Sequence, residues 1–257
     1  GVAGYKFTVP TAGSGATYSW TASSGTITDG SGTREITWTA GTAGSATISV
    51  TVTNSNGCSC SNTATVTVNA LPSCVITASA SVCEGSTSNK ASVQSAGEGS
   101  VYTWTIAGGE ITAGSGTREI TWTAGTSGIV TIYVTVTNGN GCSCSNSVTV
   151  DVKALPKAVA SSNSPVCEGG DIQLTGSPSG MKTYLWSGPN SFSSNEQNPK
   201  ISGAILAAAG IYTLAVTSNE GCANTATTNV VVNAKPDCSI TAPESVCSES
   251  TDNAASV

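Results

Sequence analysis

Ten cysteines, at positions 58, 60, 74, 83, 142, 144, 167, 222, 238 and 247, are the side chains of this sequence with the most chemistry available to them. A thiol can be oxidised to a disulfide, ligate a metal or act as a nucleophile, and the accompanying residue types decide between these. The 257-residue chain contains no histidine. That removes Cys–His and Ser–His–Asp nucleophile activation, His-ligated zinc or haem, and the one side chain that ordinarily titrates near neutral pH. There is no Cys-x-x-Cys knuckle, and the Cys-Ser-Cys pairs at 58–60 and 142–144 stand alone, so no metal centre is expected and no cofactor is implied. An even number of cysteines at recurring spacings points instead to a disulfide framework in an oxidising, extracellular compartment.

The carboxylates offer no catalytic alternative. Arg34-Glu35 and Arg118-Glu119 are sequence neighbours in segments that read as strands, where consecutive side chains face opposite ways. No Asp-x-Asp-x-Asp-Gly calcium loop occurs, although Asp29 and Glu110 stand beside Gly-rich turns. Glycoside hydrolysis needs two carboxylates converging on one cleft, and these sparse acids single out no such pair. The chain is therefore expected not to be an enzyme. Only 9% of residues are charged and the net charge is −6, with the basic residues scattered singly. Nucleic acid, which is held by clustered cations, is not an expected partner. No apolar run reaches the length of a membrane span, so membrane insertion is not expected either.

The cysteines are placed by a repeat. Residues 30–42, GSGTREITWTAGT, recur unchanged at 114–126, an offset of 84. The same offset carries Trp20 to Trp104, Cys58 to Cys142, and Ala70-Leu71-Pro72 to Ala154-Leu155-Pro156. A more divergent third copy aligns Cys167 with Cys83, Trp186 with Trp104, Cys222 with Cys142, and closes on Ala234-Lys235-Pro236. The expected modules are 1–72, 73–156 and 157–236, followed by an additional segment at 237–257. Within them the period is two: residues 46–53 (ATISVTVT) and 130–137 (VTIYVTVT) alternate apolar and hydroxyl side chains, as half-buried strands do. Turn clusters such as Asn138-Gly139-Asn140-Gly141 separate them. The expected fold is all-β: tandem immunoglobulin-like antiparallel β-sandwiches with no helix of note. Trp20, Trp104 and Trp186, with Trp38 and Trp122, are expected in the core rather than as an exposed sugar-stacking platform, and Gly210-Ile211-Tyr212 reads as a tyrosine corner.

In the third module, residues 162–169 (SNSPVCEG), 184–190 (YLWSGPN), Gln197-Asn198-Pro199, 209–212 (AGIY) and 219–222 (NEGC) resemble the Ig-like repeats of large secreted bacterial surface proteins, including gliding-motility adhesins. The first two modules, with Tyr-x-Trp, Gly-x-Ile-Thr-x-Gly-x-Gly-Thr and Ile-Thr-Trp, resemble PKD-like repeats. The likeness implies an extracellular setting and a role as stalk, fibre or adhesin.

Four cysteines fall in the second module, Cys74, Cys83, Cys142 and Cys144, and two in the third, Cys167 and Cys222. If the two-cysteine copy closes its own bridge, Cys167 pairs with Cys222, and by analogy Cys83 pairs with Cys142 and Cys74 with Cys144. The first module has Cys58 and Cys60 but no opening segment. Residues 238–247 (CSITAPESVC) repeat 74–83 (CVITASASVC) with the same cysteine spacing, and 252–257 (DNAASV) repeat 88–93 (SNKASV). Three arrangements follow. The tail of one subunit can insert into the first module of the next, with Cys247 bridging Cys58 and Cys238 bridging Cys60, which builds a head-to-tail homopolymer. The 257 residues can be a window on a longer tandem array. The tail can also return to the first module of its own chain. The first two describe an extended fibre of linked modules, and the expected function is a non-catalytic structural subunit of an extracellular fibre, sheath or adhesive stalk. The alternative is a binding region of a large adhesin that recognises surface glycans, or the accessory repeats of a secreted hydrolase.

Overall fold

The computed structural model describes residues 4–242 together with 244, 245 and 248. Among them the regular structure is strand throughout, apart from one 3-10 turn at Leu206–Ala208. The first repeat supplies β1 (Tyr5–Thr8), β2 (Thr17–Ala22), β3 (Thr26–Asp29), β4 (Glu35–Thr39), β5 (Gly44–Thr53) and β6 (Ser59–Val68). They form two antiparallel sheets, β1-β4-β3 and β2-β5-β6. The second repeat has the counterparts of all six plus two short leading strands. These are β7 (Thr77–Ala78), β8 (Ser81–Cys83), β9 (Asn89–Ser92), β10 (Val101–Ala107), β11 (Gly109–Ala113), β12 (Glu119–Ala124), β13 (Gly128–Thr137) and β14 (Ser143–Lys153). Its sheets are β11-β12-β9-β7 and β10-β13-β14-β8. The third repeat comprises β15 (Val159–Ser162), β16 (Val166–Cys167), β17 (Ile172–Ser177), β18 (Thr183–Gly188), β19 (Phe192–Ser194), β20 (Lys200–Ile201), β21 (Gly210–Thr217), β22 (Ala223–Val230) and β23 (Val232–Asn233). The chain divides into two compact units. One holds residues 1–80, 86–125 and 129–150; the other holds 81–85, 126–128 and 151–257.

Alternation along the strands decides which faces meet. On β13, Val130, Ile132, Val134 and Val136 are buried, while the hydroxyl residues between them look outward. Ala46, Ile48 and Val50 do the same on β5. Trp38, Trp122 and Trp186 are fully buried and Trp104 nearly so, each contributing on the order of 2–3 kcal/mol of hydrophobic free energy. The identical segments 30–42 and 114–126 do the same local work in both copies. Gly30 and Gly114 take positive φ to close the turn, and a Cβ at either would run into the carbonyl oxygen of Glu35 or Glu119. Thr33 and Thr117 then present their carbonyls to the indole N–H groups of Trp20 and Trp104, at 2.8 Å each. In the third repeat the hydroxyl of Tyr212 donates to Ala208 O at 2.9 Å, which is the tyrosine corner expected there.

Candidate functional site

Each sheet of the first repeat is one strand shorter than its counterpart in the second. β7 pairs antiparallel with β9, and β8 pairs parallel with the end of β14, with Ser81, Val82 and Cys83 opposite Asp151, Val152 and Lys153. The corresponding strands β1 and β6 carry no such neighbour among the described residues, and both sheets end there in open edges. The consequence shows in the core. Val150 and Val152 on β14 are buried, whereas their equivalents Val66 and Val68 on β6 are only half-buried; Val93 is buried and its equivalent Val9 is not.

Between the two open edges lies a cleft of about 790 Å³, lined by Tyr5 and Phe7 from β1, Val66 and Val68 from β6, Trp38, and Cys142. Phe7 meets the Trp38 ring edge-on with centroids 5.8 Å apart, and Tyr5, 48% exposed, leans over the same ring at 6.1 Å. At its rim the Lys6 ammonium donates to Glu35 at 2.6 Å. This hydrogen bond, and then the charge attraction, lowers the Glu35 carboxyl and raises Lys6 from their ordinary pKa values. Lys90 and Glu119 repeat the pair at 2.9 Å. Glu35 and Glu119 are thus engaged on an exposed sheet face.

A second hollow, of about 250 Å³, is lined by Ala12, Val52, Asn54, Cys58, Ser59 and Cys60. Asn54 builds the turn there, its side-chain oxygen accepting from the amides of Asn56 and Cys58 at 3.0 Å each. In the second repeat the equivalent turn, built by Asn138, holds the preceding joint: the Asn138 amide donates to Ala70 O at 3.0 Å, and Cys144 Sγ lies 3.2 Å from Pro72 O.

Of the three bridges expected within the modules, Cys74–Cys144 is present, while Cys83–Cys142 and Cys167–Cys222 are not. Cys74 is bonded to Cys144, with Cα atoms 6.1 Å apart. Cys83 is bonded to Cys222, with Cα atoms 5.6 Å apart, and not to Cys142; Cys167 and Cys142 carry free thiols. The parallel register of β8 is the reason. Cys83 stands opposite Lys153, the last residue of β14, whereas Cys142 precedes the first. At about 3.3 Å per residue, the eleven residues of β14 separate the two by roughly 36 Å, far beyond the 7 Å or so that a disulfide spans. Cys222 sits where Cys83 arrives, its Sγ 3.9 Å from Lys153 O.

Neither of the third repeat's two cysteines serves a bridge within it. Asn224 occupies the place of Cys144 and donates to Pro156 O at 3.0 Å, so a hydrogen bond to the joint stands where the second repeat has a disulfide. Cys58, Cys60 and Cys238 are free and exposed, and Cys247 lies outside the described residues. Among the described residues no cluster of three metal-ligating side chains occurs, and no helix is long and apolar enough to cross a membrane.

Comparison with known proteins agrees with this architecture. The PKD-like domain family matches residues 1–68 and again residues 69–152, together more than half of the chain. No curated protein matches the sequence significantly. Among solved structures, the three N-terminal domains of the bacteriophage RB49 highly immunogenic outer capsid protein Hoc are 16% identical, covering 91% of this chain and 96% of that one at a TM-score of 0.35. Cadherin domains 3–6 of protocadherin gamma B2 are 14% identical over 95% of this chain and 72% of that one, at a TM-score of 0.33. The amphioxus IgVJ-C2 molecule is 12% identical over 59% and 99%, at 0.27. At such TM-scores these likenesses add nothing to what the strands and the family match establish. This chain, an all-β array of immunoglobulin-like sandwiches, belongs to the PKD-like domain family.

Proposed function

We propose that the chain is a non-catalytic structural subunit of an extracellular, cell-surface fibre or adhesive stalk, assembled head to tail by strand complementation. In this reading residues 237–257 of one copy supply the two edge strands that the first repeat of the next copy lacks. The observation that carries it is the match between the open edges and the tail. β7 and β8 lie in residues 73–93, and 237–257 repeat that stretch down to the nine-residue cysteine spacing. The cleft between β1 and β6 has apolar walls for the inward side chains, and strand edges on both sides for the backbone groups. A head-to-tail contact of this type is heterologous and propagates as a filament. The fully buried tryptophans support a packing role for those rings over a glycan platform.

Sedimentation velocity and negative-stain electron microscopy of the full chain over a concentration series test the proposal. The expected result is filaments that grow with concentration, and their loss in Ile240→Asp, which places a charge where half-buried Ile76 sits in the second repeat. A chain that stays single at every concentration, or an Ile240→Asp variant that assembles as well as the parent, overturns it.

A further inference from the structure

We infer a disulfide relay between successive copies, in which Cys167 bridges Cys58 of the following copy, Cys238 bridges its Cys60, and Cys247 bridges its Cys142. The inference rests on the head-to-tail reading above and assigns each bond of the junction. It comes from the two bridges in the structure, which define a rule for any repeat and its successor. Cys74–Cys144 joins the first cysteine of an opening segment to the last strand of the same repeat. Cys83–Cys222 joins the second cysteine of that segment to the following repeat, at the residue just before its last long strand.

Three local geometries extend the rule to the remaining thiols. Val166-Cys167 runs parallel to β23 with Cys167 opposite Asn233, as Val82-Cys83 runs parallel to β14 with Cys83 opposite Lys153. The amides of Glu84 and Glu168, one residue on, donate to those same partners at 2.9 and 2.8 Å. Cys167 is thus presented as Cys83 is, exposed and free, to whatever follows the third repeat. In a head-to-tail neighbour the residue in the place of Cys222 is Cys58, held by the Asn54 turn beside the 250 Å³ hollow. On the receiving side, Cys142 Sγ lies 4.0 Å from Asn69 O, as Cys222 Sγ lies 3.9 Å from Lys153 O, and Cys142 lines the cleft between the open edges. A strand laid along β6 as β8 lies along β14 brings its second cysteine to Asn69, at the far end of β6 from Cys58. That position in the tail is Cys247, so the pairing of Cys247 with Cys58 gives way to Cys142. Cys238 corresponds to Cys74 and Cys60 to Cys144, and their pairing stands. Every one of the ten cysteines is then used once.

Each bridge forms by loss of two thiol hydrogens, with two electrons and two protons passing to an external disulfide such as glutathione disulfide, which leaves as two thiols. Three bridges per junction consume three equivalents.

The test mixes equal amounts of ¹⁴N- and ¹⁵N-labelled full-length chain under reducing conditions and lets it assemble with glutathione disulfide. Residual thiols are then alkylated, and the unreduced product is digested with pepsin for mass spectrometry. The expected linked peptides are 167–58, 238–60 and 247–142, half of each carrying one light and one heavy partner, while 74–144 and 83–222 stay isotopically pure. Cys167→Ser is expected to leave Cys58 alkylated without dissolving the polymer. A polymer in which Cys58 is linked to Cys247, or in which Cys167 is alkylated, overturns the relay and leaves the fibre standing. Isotopically pure 167–58 or 238–60 links overturn the second copy as partner. Single chains with these six thiols alkylated overturn both the relay and the fibre.

Discussion

Removing the Cys74–Cys144 bridge is predicted to weaken the first compact unit by about 4 kcal/mol. The bond closes a loop of 70 residues, and in the chain-entropy picture such a crosslink takes about 15 cal/mol/K from the unfolded ensemble, or about 4.4 kcal/mol at 25 °C. The double substitution Cys74→Ser/Cys144→Ser avoids an unpaired thiol, and alkylating the exposed thiols of the folded protein beforehand keeps assembly out of the measurement. Four of the five tryptophans, Trp20, Trp38, Trp104 and Trp122, lie in this unit, so its unfolding in urea is followed by fluorescence. With a denaturant slope of about 2 kcal/mol/M, the midpoint is expected to fall by roughly 2 M. Trp186, in the other unit, reports separately on Cys83–Cys222, whose 139-residue separation gives only a slightly larger figure because the entropy grows with the logarithm of loop length. A midpoint that moves by less than about 0.3 M, with unchanged slope, would refute the claim that this crosslink holds the opening segment on the second repeat.

Gly30→Ala and Gly114→Ala each force a Cβ onto a positive-φ turn against a carbonyl oxygen, and each is expected to cost about 1–3 kcal/mol in thermal or urea unfolding. Tyr212→Phe leaves Ala208 O without its buried donor and is expected to lower the stability of the second unit by about 1–2 kcal/mol, read from the Trp186 transition. The Lys6–Glu35 pair sets a pH dependence of known sign. Glu35 is lowered, so its contribution is present above the ordinary glutamate value near 4.3 and is lost as pH falls through the folded value. Lys6 is raised, so its contribution is present below about 10.4 and is lost as pH rises through the folded value. Both groups are exposed, so the effect is small and screened by salt; NMR titration of Glu35 in Lys6→Met is expected to show its pKa moving upward.

Period-two alternation and the 84-residue offset made the strands legible from the sequence, because a half-buried strand writes its inward face into every second residue and a repeat writes it more than once. The burial of Trp38, Trp104, Trp122 and Trp186 was legible for the same reason, since a large ring recurring at one place in successive copies has a fixed pocket to fill; Trp20, expected in the core with them, is only half-buried in the first repeat. The destination of Cys83 was not. Cysteine spacing records which segments carry thiols, whereas pairing depends on strand direction, and three residues of parallel β8 decide it. The one signal was the third repeat itself, where Asn224 replaces the cysteine of the intra-repeat bridge and leaves two cysteines that need not be partners. The open edges were legible only as a missing segment; that both face one apolar cleft required coordinates.

The overlap of the two bridges bears on how the protein behaves under tension. A chain pulled from both ends lengthens only along its shortest covalent route. From residue 74 onward that route runs nine residues to Cys83, crosses the sulfurs and leaves at Cys222. The stretch between those two cysteines, a sequence separation of 139 worth roughly 490 Å of contour at about 3.5 Å per step, is withheld from extension even if every strand within it melts. Rupture of the sheets inside that stretch changes the stiffness of the molecule but hardly its length, whereas the first repeat, with Cys58 and Cys60 free, lies on the load path and pays out its full contour. Reduction would release that hidden length at once, making thiol chemistry the control of extensibility.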